Sequence, residues 1–198
     1  MTPFRPLFAG LALCLTQFAG SAQPDTVKIK DKALLFADSL IRADHHEFWD
    51  VYVGLVPASV LKYHGGKDGY IEHVKTARPR TISDIEEDLP QLKIIQLMTE
   101  NDLWECVIRE SRYIHKDDKK LHVTTYFVGE SKDEGETWRL FDVGYNKVAN
   151  IIYMMPEVFG DLPIPEHTIL TEEEEIAKAK PVFIPAGTTN KKAPDKKK

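Results

Sequence analysis

The order in which two hydrophobic periodicities follow one another constrains this chain most. From Lys32 to Ala77 apolar residues recur every three or four positions, which is the spacing of one helix face. Pro57 and Gly65-Gly66 divide this part into three predicted helices, over 32–53, 57–63 and 67–77. Beyond Arg78-Pro79-Arg80 the apolar residues alternate, as they do in strands. Helices followed by antiparallel strands predict an α+β fold, with the helices packed on one face of the sheet.

The charged segment Lys116–Lys120 predicts a hairpin turn between two of the strands. If the hairpin closes at Asp117-Asp118, residues equally distant from that pair face each other. One face of the hairpin is then mostly apolar, and we assign it to the core. The predicted strands are Ile82–Asp88, Lys93–Thr99, Leu103–His115, Leu121–Gly129 and Thr137–Tyr145. The core face carries Trp104, Cys106, Ile108, Glu110, Arg112 and Ile114, with Leu121, Val123, Thr125 and Phe127 opposite.

Four polar residues fall on this apolar face and form the candidate site. They are Glu110, Arg112 and Thr125, joined by Asp142 of the last strand, which shares a face with Trp138. Buried carboxyl groups acquire raised pKa values, so Asp142 or Glu110 could act as a catalytic base. Arg112 could instead neutralise both acids, or orient an anionic or polar group of a ligand.

The expected pocket also has an apolar lining, and one acid lies near it. Asp44 interrupts the apolar stripe of the first helix. We interpret Asp44 and Glu47 as a capping box that starts a new helix, with a pocket acid as the alternative. The expected apolar and aromatic lining is Trp104, Ile108, Phe127 and Trp138, with Tyr63 reaching in from a helix.

The N-terminal residues predict export. Arg5, the apolar run Leu7–Leu15 and the small residues Gly20-Ser21-Ala22 form a signal peptide over 1–22, cleaved near Ala22. Leu13 is bulky for lipid attachment at Cys14, so we do not expect a lipoprotein. A polar lead-in over 23–31, a single domain over 32–170 and a charged, disordered tail over 171–198 complete the organisation.

Composition argues against several classes of function. The formal net charge of −5 is unsuited to nucleic acid, which requires a basic surface. The apolar leader is too short for a stable membrane span. Histidines such as His45-His46 lack the spacing of a zinc helix, and no phosphate-binding glycine loop is present. We therefore expect no metal and no cofactor.

Several weak motifs in a fixed order carry a family resemblance. They are Ala43-Asp44 near a helix break, Gly65-Gly66-Lys67 before a further helix, the meander of long strands, and the strand that follows Gly135 through Asp142. Over Lys32–Tyr145 the chain resembles the nuclear transport factor two-like superfamily, which includes ketosteroid isomerase, scytalone dehydratase and polyketide-cyclase-like proteins. The resemblance implies a strongly curved sheet that forms a cone with a cavity, and frequent homodimers through the outer sheet face. It does not imply one function.

The sequence therefore supports three readings of an exported bacterial protein. The leading one is a cofactor-free domain that binds a small organic ligand, rather than an enzyme. The second is a cofactor-independent isomerase, dehydratase or hydrolase, although no tyrosine–aspartate or histidine–aspartate pair aligns with those enzymes. The third is a non-catalytic interaction domain whose cavity is filled by its own side chains.

Overall fold

A computed structural model of the chain describes residues 25–77, 89–100, 102–144, 146, 150–156 and 162–179. The helices are α1 (Thr26–His45), α2 (Trp49–Gly54), α3 (Ala58–Tyr63), α4 (Lys67–Ala77), α5 (Ile151–Met154) and α6 (Glu172–Ala179). The strands are β1 (Gln91–Glu100), β2 (Leu103–Lys116), β3 (Lys119–Ser131), β4 (Arg139–Asp142) and β5 (Thr168–Thr171). The protein is thus α+β, with helices preceding an antiparallel sheet, as predicted; among the described residues the sheet has five strands.

The first helix begins at Thr26, not at Lys32 as the periodicity suggested. Asp25 is the reason, because its Oδ1 accepts hydrogen bonds from the backbone N–H groups of Val27 and Lys28, at 3.1 and 3.3 Å. This is the arrangement of an N-cap. The start of α3 after Pro57 and the bounds of α4 agree with the sequence prediction.

The register of the central hairpin is the predicted one. Ile108 lies opposite Phe127, and Glu110 lies opposite Thr125. Both turn residues, Asp117 and Asp118, have positive φ, at 51° and 60°, as a two-residue turn between twisted strands requires. The turn thereby fixes which side chains of β2 and β3 face the helices.

Two strands share the outer edge of β3, in the order β1-β2-β3-β4 with β5 also on β3. β4 pairs with residues 127–130 and β5 with residues 121–124. The sequence did not predict β5, which has only four residues. Between the two partners, the Val143 N–H donates to the Tyr126 carbonyl at 2.9 Å. The edge of β3 therefore changes partner at the level of Thr125 and Tyr126.

The core lies between the helices and the face of the sheet that carries Cys106 and Phe127. The largest fully buried side chains include Trp138, Tyr52, Tyr70, Phe127, Phe141, Leu40, Ile108 and Leu140. Gly129 sits at the centre of this packing, since a Cβ there would lie 2.7 Å from Leu140 Cδ2 and 2.9 Å from Cys106 Sγ. The Leu140 N–H donates to the Leu55 carbonyl at 2.8 Å, which ties β4 to the end of α2.

The turn before β4 is organised by Asp133. Its carboxylate accepts hydrogen bonds from the Thr137 N–H at 2.9 Å, the Thr137 hydroxyl at 2.6 Å and the Ser131 hydroxyl at 2.9 Å. Although desolvation opposes the change, these bonds lower the pKa of Asp133. The Trp138 Nε1–H donates to the Gly135 carbonyl at 3.2 Å, so the buried indole is satisfied.

Several predicted segments lie outside the described residues. They are the signal peptide over 1–22, the strand Ile82–Asp88, and residues 180–198 of the predicted tail. The first part of that tail is helical, because α6 extends from Glu172 to Ala179. In the described part of the chain, no helix is long and apolar enough to cross a membrane.

Candidate functional site

A pocket lies between α1, α2 and the sheet, where β3 changes partner from β4 to β5. Its volume is about 50 Å³, which is several times the space that one buried water needs. Leu40, Ile41, Val123 and Phe127 form its apolar wall. The polar lining is Asp44, Tyr52, Glu110, Arg112, Thr125 and Asp142, with the exposed residues Gly144 and His167 on the solvent side.

Strand register explains why the four predicted polar residues meet. Glu110 and Thr125 are opposite each other on β2 and β3, and Arg112 follows two positions later on the same face. Asp142 lies opposite Phe127 on β4, one step along that face from Thr125. The structure thus brings Glu110, Arg112, Thr125 and Asp142 to one pocket.

Asp142 is a strongly perturbed group of the pocket. The residue is 8% exposed, and its Oδ1 accepts hydrogen bonds from the Gly144 N–H at 2.6 Å and the Thr125 hydroxyl at 3.3 Å. Burial, followed by the nearby Glu110 and Asp44, raises the pKa of Asp142 to about 8, although the Gly144 N–H and Arg112 oppose the shift. Asp142 can therefore hold or release a proton near neutral pH.

Glu110 and Arg112 form an ion pair at the same wall. The Arg112 Nε lies 3.2 Å from the Glu110 Oε1, and the two side chains are 23% and 3% exposed, respectively. Burial raises the pKa of Glu110, an effect that Arg112 opposes and Asp44 reinforces. Much of the positive charge of Arg112 is thus directed at a carboxyl group of the protein itself.

Asp44 is a pocket residue, and the capping-box interpretation was wrong. α1 continues through Asp44 to His45, and the residue that precedes α2 is Phe48, which makes no side-chain cap. The chain leaves the helical conformation between α1 and α2, where Glu47 has a φ of 55°. Asp44 consequently remains on the face of α1 that carries Leu40 and Ile41, and it lines the pocket with them.

A hydrogen-bonded layer supports the pocket from the helices. The rings of Tyr52 and Tyr70 are stacked with centroids 6.1 Å apart. Burial raises the pKa of Tyr70. The Asn146 Nδ2–H donates to the Asp142 carbonyl at 3.0 Å, and the Asn146 Oδ1 lies 3.1 Å from the Nε2 of His73. The segment after Asp142 is thereby tied to α4.

Phe127 lines the pocket as expected, but the other four predicted lining residues lie elsewhere. Ile108 and Trp138 are fully buried in the core. Trp104 lines a different hollow, beside Thr26 and β1. Tyr63, at the end of α3, is 49% exposed. Tyr52, a helix tyrosine that the sequence left with an open role, lines the pocket. Sequence reasoning missed His167 as a lining residue, because the alternation of strands could not place a residue that precedes β5.

The arrangement can support proton chemistry and polar recognition. Three carboxyl groups and one guanidinium group line the pocket. Within the ranges that the structure describes, no group of three or more His, Cys, Asp or Glu side chains is positioned to hold a metal ion.

Comparison with known proteins does not identify a relative of this chain. No protein-family model, curated protein or solved structure matches the chain. The function must therefore be argued from the chemistry of the pocket.

Proposed function

We propose that this protein binds a small organic ligand in the pocket without a cofactor. The observation that carries the proposal is the convergence of Asp44, Glu110, Arg112 and Asp142 on a hollow with apolar walls. A few polar groups among apolar side chains are typical of ligand sites, because the apolar part gives affinity and the polar part gives orientation. The pocket volume of about 50 Å³ suits one end of a ligand whose remainder projects past Gly144 and His167.

The carboxyl oxygens that line the pocket favour a ligand that donates hydrogen bonds. Asp44, Glu110 and Asp142 supply three carboxyl groups against the single guanidinium of Arg112. Because Arg112 lies 3.2 Å from Glu110, an anionic ligand would compete with a carboxylate already in place. We therefore assign the polar end of the ligand to an ammonium or similar donor, rather than to an anion oriented by Arg112.

The proposal includes a nuclear transport factor two-like cone, a fold in which a curved sheet and N-terminal helices enclose a cavity. Helices that precede the antiparallel sheet, and a pocket between α1 and the strands, support it. The curvature of the sheet remains part of the proposal. Small-angle scattering of the isolated chain would separate a cone from a flat two-layer sandwich.

A second candidate function is a cofactor-independent isomerase, dehydratase or hydrolase. The observation that favours it is Asp142, whose pKa of about 8 lies close to neutral pH. A general acid or base is most effective when its pKa is near the working pH. For this candidate, turnover of a substrate would follow a pH profile with a midpoint near 8, and Asp142→Asn would abolish it.

The binding proposal is tested by titrating the chain with three probes of similar size. Ethylamine, acetamide and acetate are added in turn, and amide chemical shifts are followed by NMR. Ethylamine is expected to shift residues of α1, β2 and β4, and Asp142→Asn to weaken that effect. Asp38→Asn is the matched control, because it removes an exposed acid of α1 that is paired with Arg42. If none of the probes shifts the resonances of pocket residues, the ligand-binding proposal is wrong, and a non-catalytic interaction domain replaces it.

Export and dimerisation are also proposals. N-terminal sequencing of the protein purified from the exporting host would begin at Gln23 if cleavage occurs near Ala22. The homodimer would use the outer sheet face, but α6 already contacts that face at Tyr113 and His122. Sedimentation of the full chain would give its subunit number.

A further inference from the structure

A second groove, the outer groove, lies on the side of the sheet that faces away from the pocket. Side chains alternate along a strand, so the residues next to Glu110 and Arg112 on β2 point to the other face. The volume of the outer groove is about 400 Å³. Its lining includes Arg109, Ser111, Tyr113, His122, Thr124 and Glu175.

The outer groove already holds one carboxylate, which belongs to the chain itself. Glu175 of α6 places its Oε1 3.0 Å from the Nδ1 of His122, and its Oε2 accepts a hydrogen bond from the Tyr113 hydroxyl at 3.2 Å. The rings of Tyr113 and His122 are stacked, 4.9 Å apart, and Lys120 Nζ lies 4.3 Å from the centre of the Tyr113 ring. This end of the groove is therefore built to accept a glutamate side chain.

Among the residues that the structure describes, the other end of the groove has the donors for a carboxylate but no acid. Arg109 lines the groove, and its Nε is buried without a hydrogen-bond partner in the described part of the chain. Its cross-strand neighbour on β1 is Lys93, and two positive charges directly opposite each other are unfavourable unless an anion lies between them. Ser111 and Thr124 face each other in the next row and contribute hydroxyl groups.

We propose that the outer groove binds an acidic peptide segment of a partner protein, with a carboxylate on Arg109 beside the hydroxyls of Ser111 and Thr124. Arginine matches a carboxylate with two parallel hydrogen bonds. Glu175 of α6 is already a carboxylate on a polypeptide chain that is bound in this groove, by Tyr113 and His122. Arg109 and Tyr113 are four positions apart on β2, about 13 Å at the rise of a strand, so repulsion from Glu175 is largely screened at physiological salt and acts mainly at low salt.

The test uses the full chain and a dye-labelled decapeptide of alternating glutamate and glycine, followed by fluorescence anisotropy at low salt. The same peptide with glutamine in place of glutamate is the ligand control. Arg109→Gln is expected to weaken binding about tenfold or more, as the loss of a charge-assisted hydrogen bond predicts. Arg42→Gln removes an exposed arginine of α1 that lies outside the outer groove, and is expected to bind as the wild type does.

A second variant keeps the test independent of any folding defect at Arg109. Glu175→Gln removes the internal carboxylate and is expected to tighten peptide binding several-fold. Equal binding by Arg109→Gln and wild type, or no binding by folded wild type, overturns the proposal. So does equal binding of the glutamine peptide. Competition by free glutamate or inorganic phosphate at the same concentration as the peptide would make the groove a small-anion site and also overturn it.

Discussion

The hydroxyl of Thr125 on β3 donates a hydrogen bond to the Oδ1 of Asp142 on β4, across 3.3 Å. The same oxygen accepts the Gly144 N–H at 2.6 Å. A Cβ at Gly144 would lie 2.7 Å from the Thr125 hydroxyl oxygen, so the close approach depends on glycine there. The carboxyl group is thus held at the point where β3 changes partner, and its environment makes the pocket sensitive to pH.

The first prediction concerns the stability of the fold against pH. Because burial raises the folded-state pKa of Asp142 from 3.8 to about 8, the folded protein keeps a proton that the unfolded chain loses. The contribution of protonated Asp142 to the stability of the fold is complete below about pH 4 and is lost as the pH rises through about 8. Replacement by Asn should remove this loss, so the free energy of unfolding of Asp142→Asn relative to wild type rises by up to ~1.4 kcal/mol per pH unit between those limits.

Urea unfolding of both proteins at intervals from pH 4 to pH 8 measures this difference. Asp38→Asn, on the exposed side of α1, should run parallel to the wild type. A difference between Asp142→Asn and wild type that stays constant across the range would mean that Asp142 titrates normally.

The second prediction concerns the ion pair of Glu110 and Arg112. Arg112→Gln leaves the carboxyl group of Glu110 buried without its cation, and removing one partner of a buried pair costs about 3 kcal/mol. Glu110→Gln in the same chain should restore most of the lost free energy of unfolding. Denaturation at pH 7.5 of the two single variants and the double variant gives the coupling energy. Strictly additive effects would contradict a direct interaction.

The third prediction tests the packing of the sheet face that carries the site. Gly129→Ala would place a Cβ within 2.7 Å of Leu140, 2.9 Å of Cys106 and 3.2 Å of Trp138. Overpacking of this kind costs about 1–3 kcal/mol. Gly54→Ala is the matched control, since nothing lies within 4 Å of its added Cβ. Equal unfolding temperatures for the two variants would show that the core around Gly129 accommodates a methyl group without a loss of stability.

Much of the sheet could be predicted from the sequence because turn chemistry and alternation are local. The aspartate pair at 117 and 118 fixed the hairpin register, and the register placed Glu110 opposite Thr125. The place of Asp142 in the candidate site was predicted from the same alternation on the next strand, where it shares a face with Trp138. The prediction of four converging polar residues needed no knowledge of the helices.

The helical side of the site could not be predicted in the same way. Asp44 and Glu47 match a capping box, yet α1 continues through Asp44 because the packing of Leu40 and Ile41 extends the helix. β5 was missed because a strand of four residues is defined by its partner in β3 rather than by its own pattern. Trp104, Ile108 and Trp138 were assigned to the pocket because a shared face does not distinguish a core side chain from a lining one.

Native mass spectrometry of the chain, purified from its native host, tests the ligand-binding account most directly. The wild type and Asp38→Asn are predicted to carry a bound mass that is lost on gentle activation, and Asp142→Asn to carry less of it or none. The mass lost should correspond to a compound with an amine or similar donor. A wild-type protein that is bare, or a mass retained equally by all three proteins, would contradict a ligand site at Asp142.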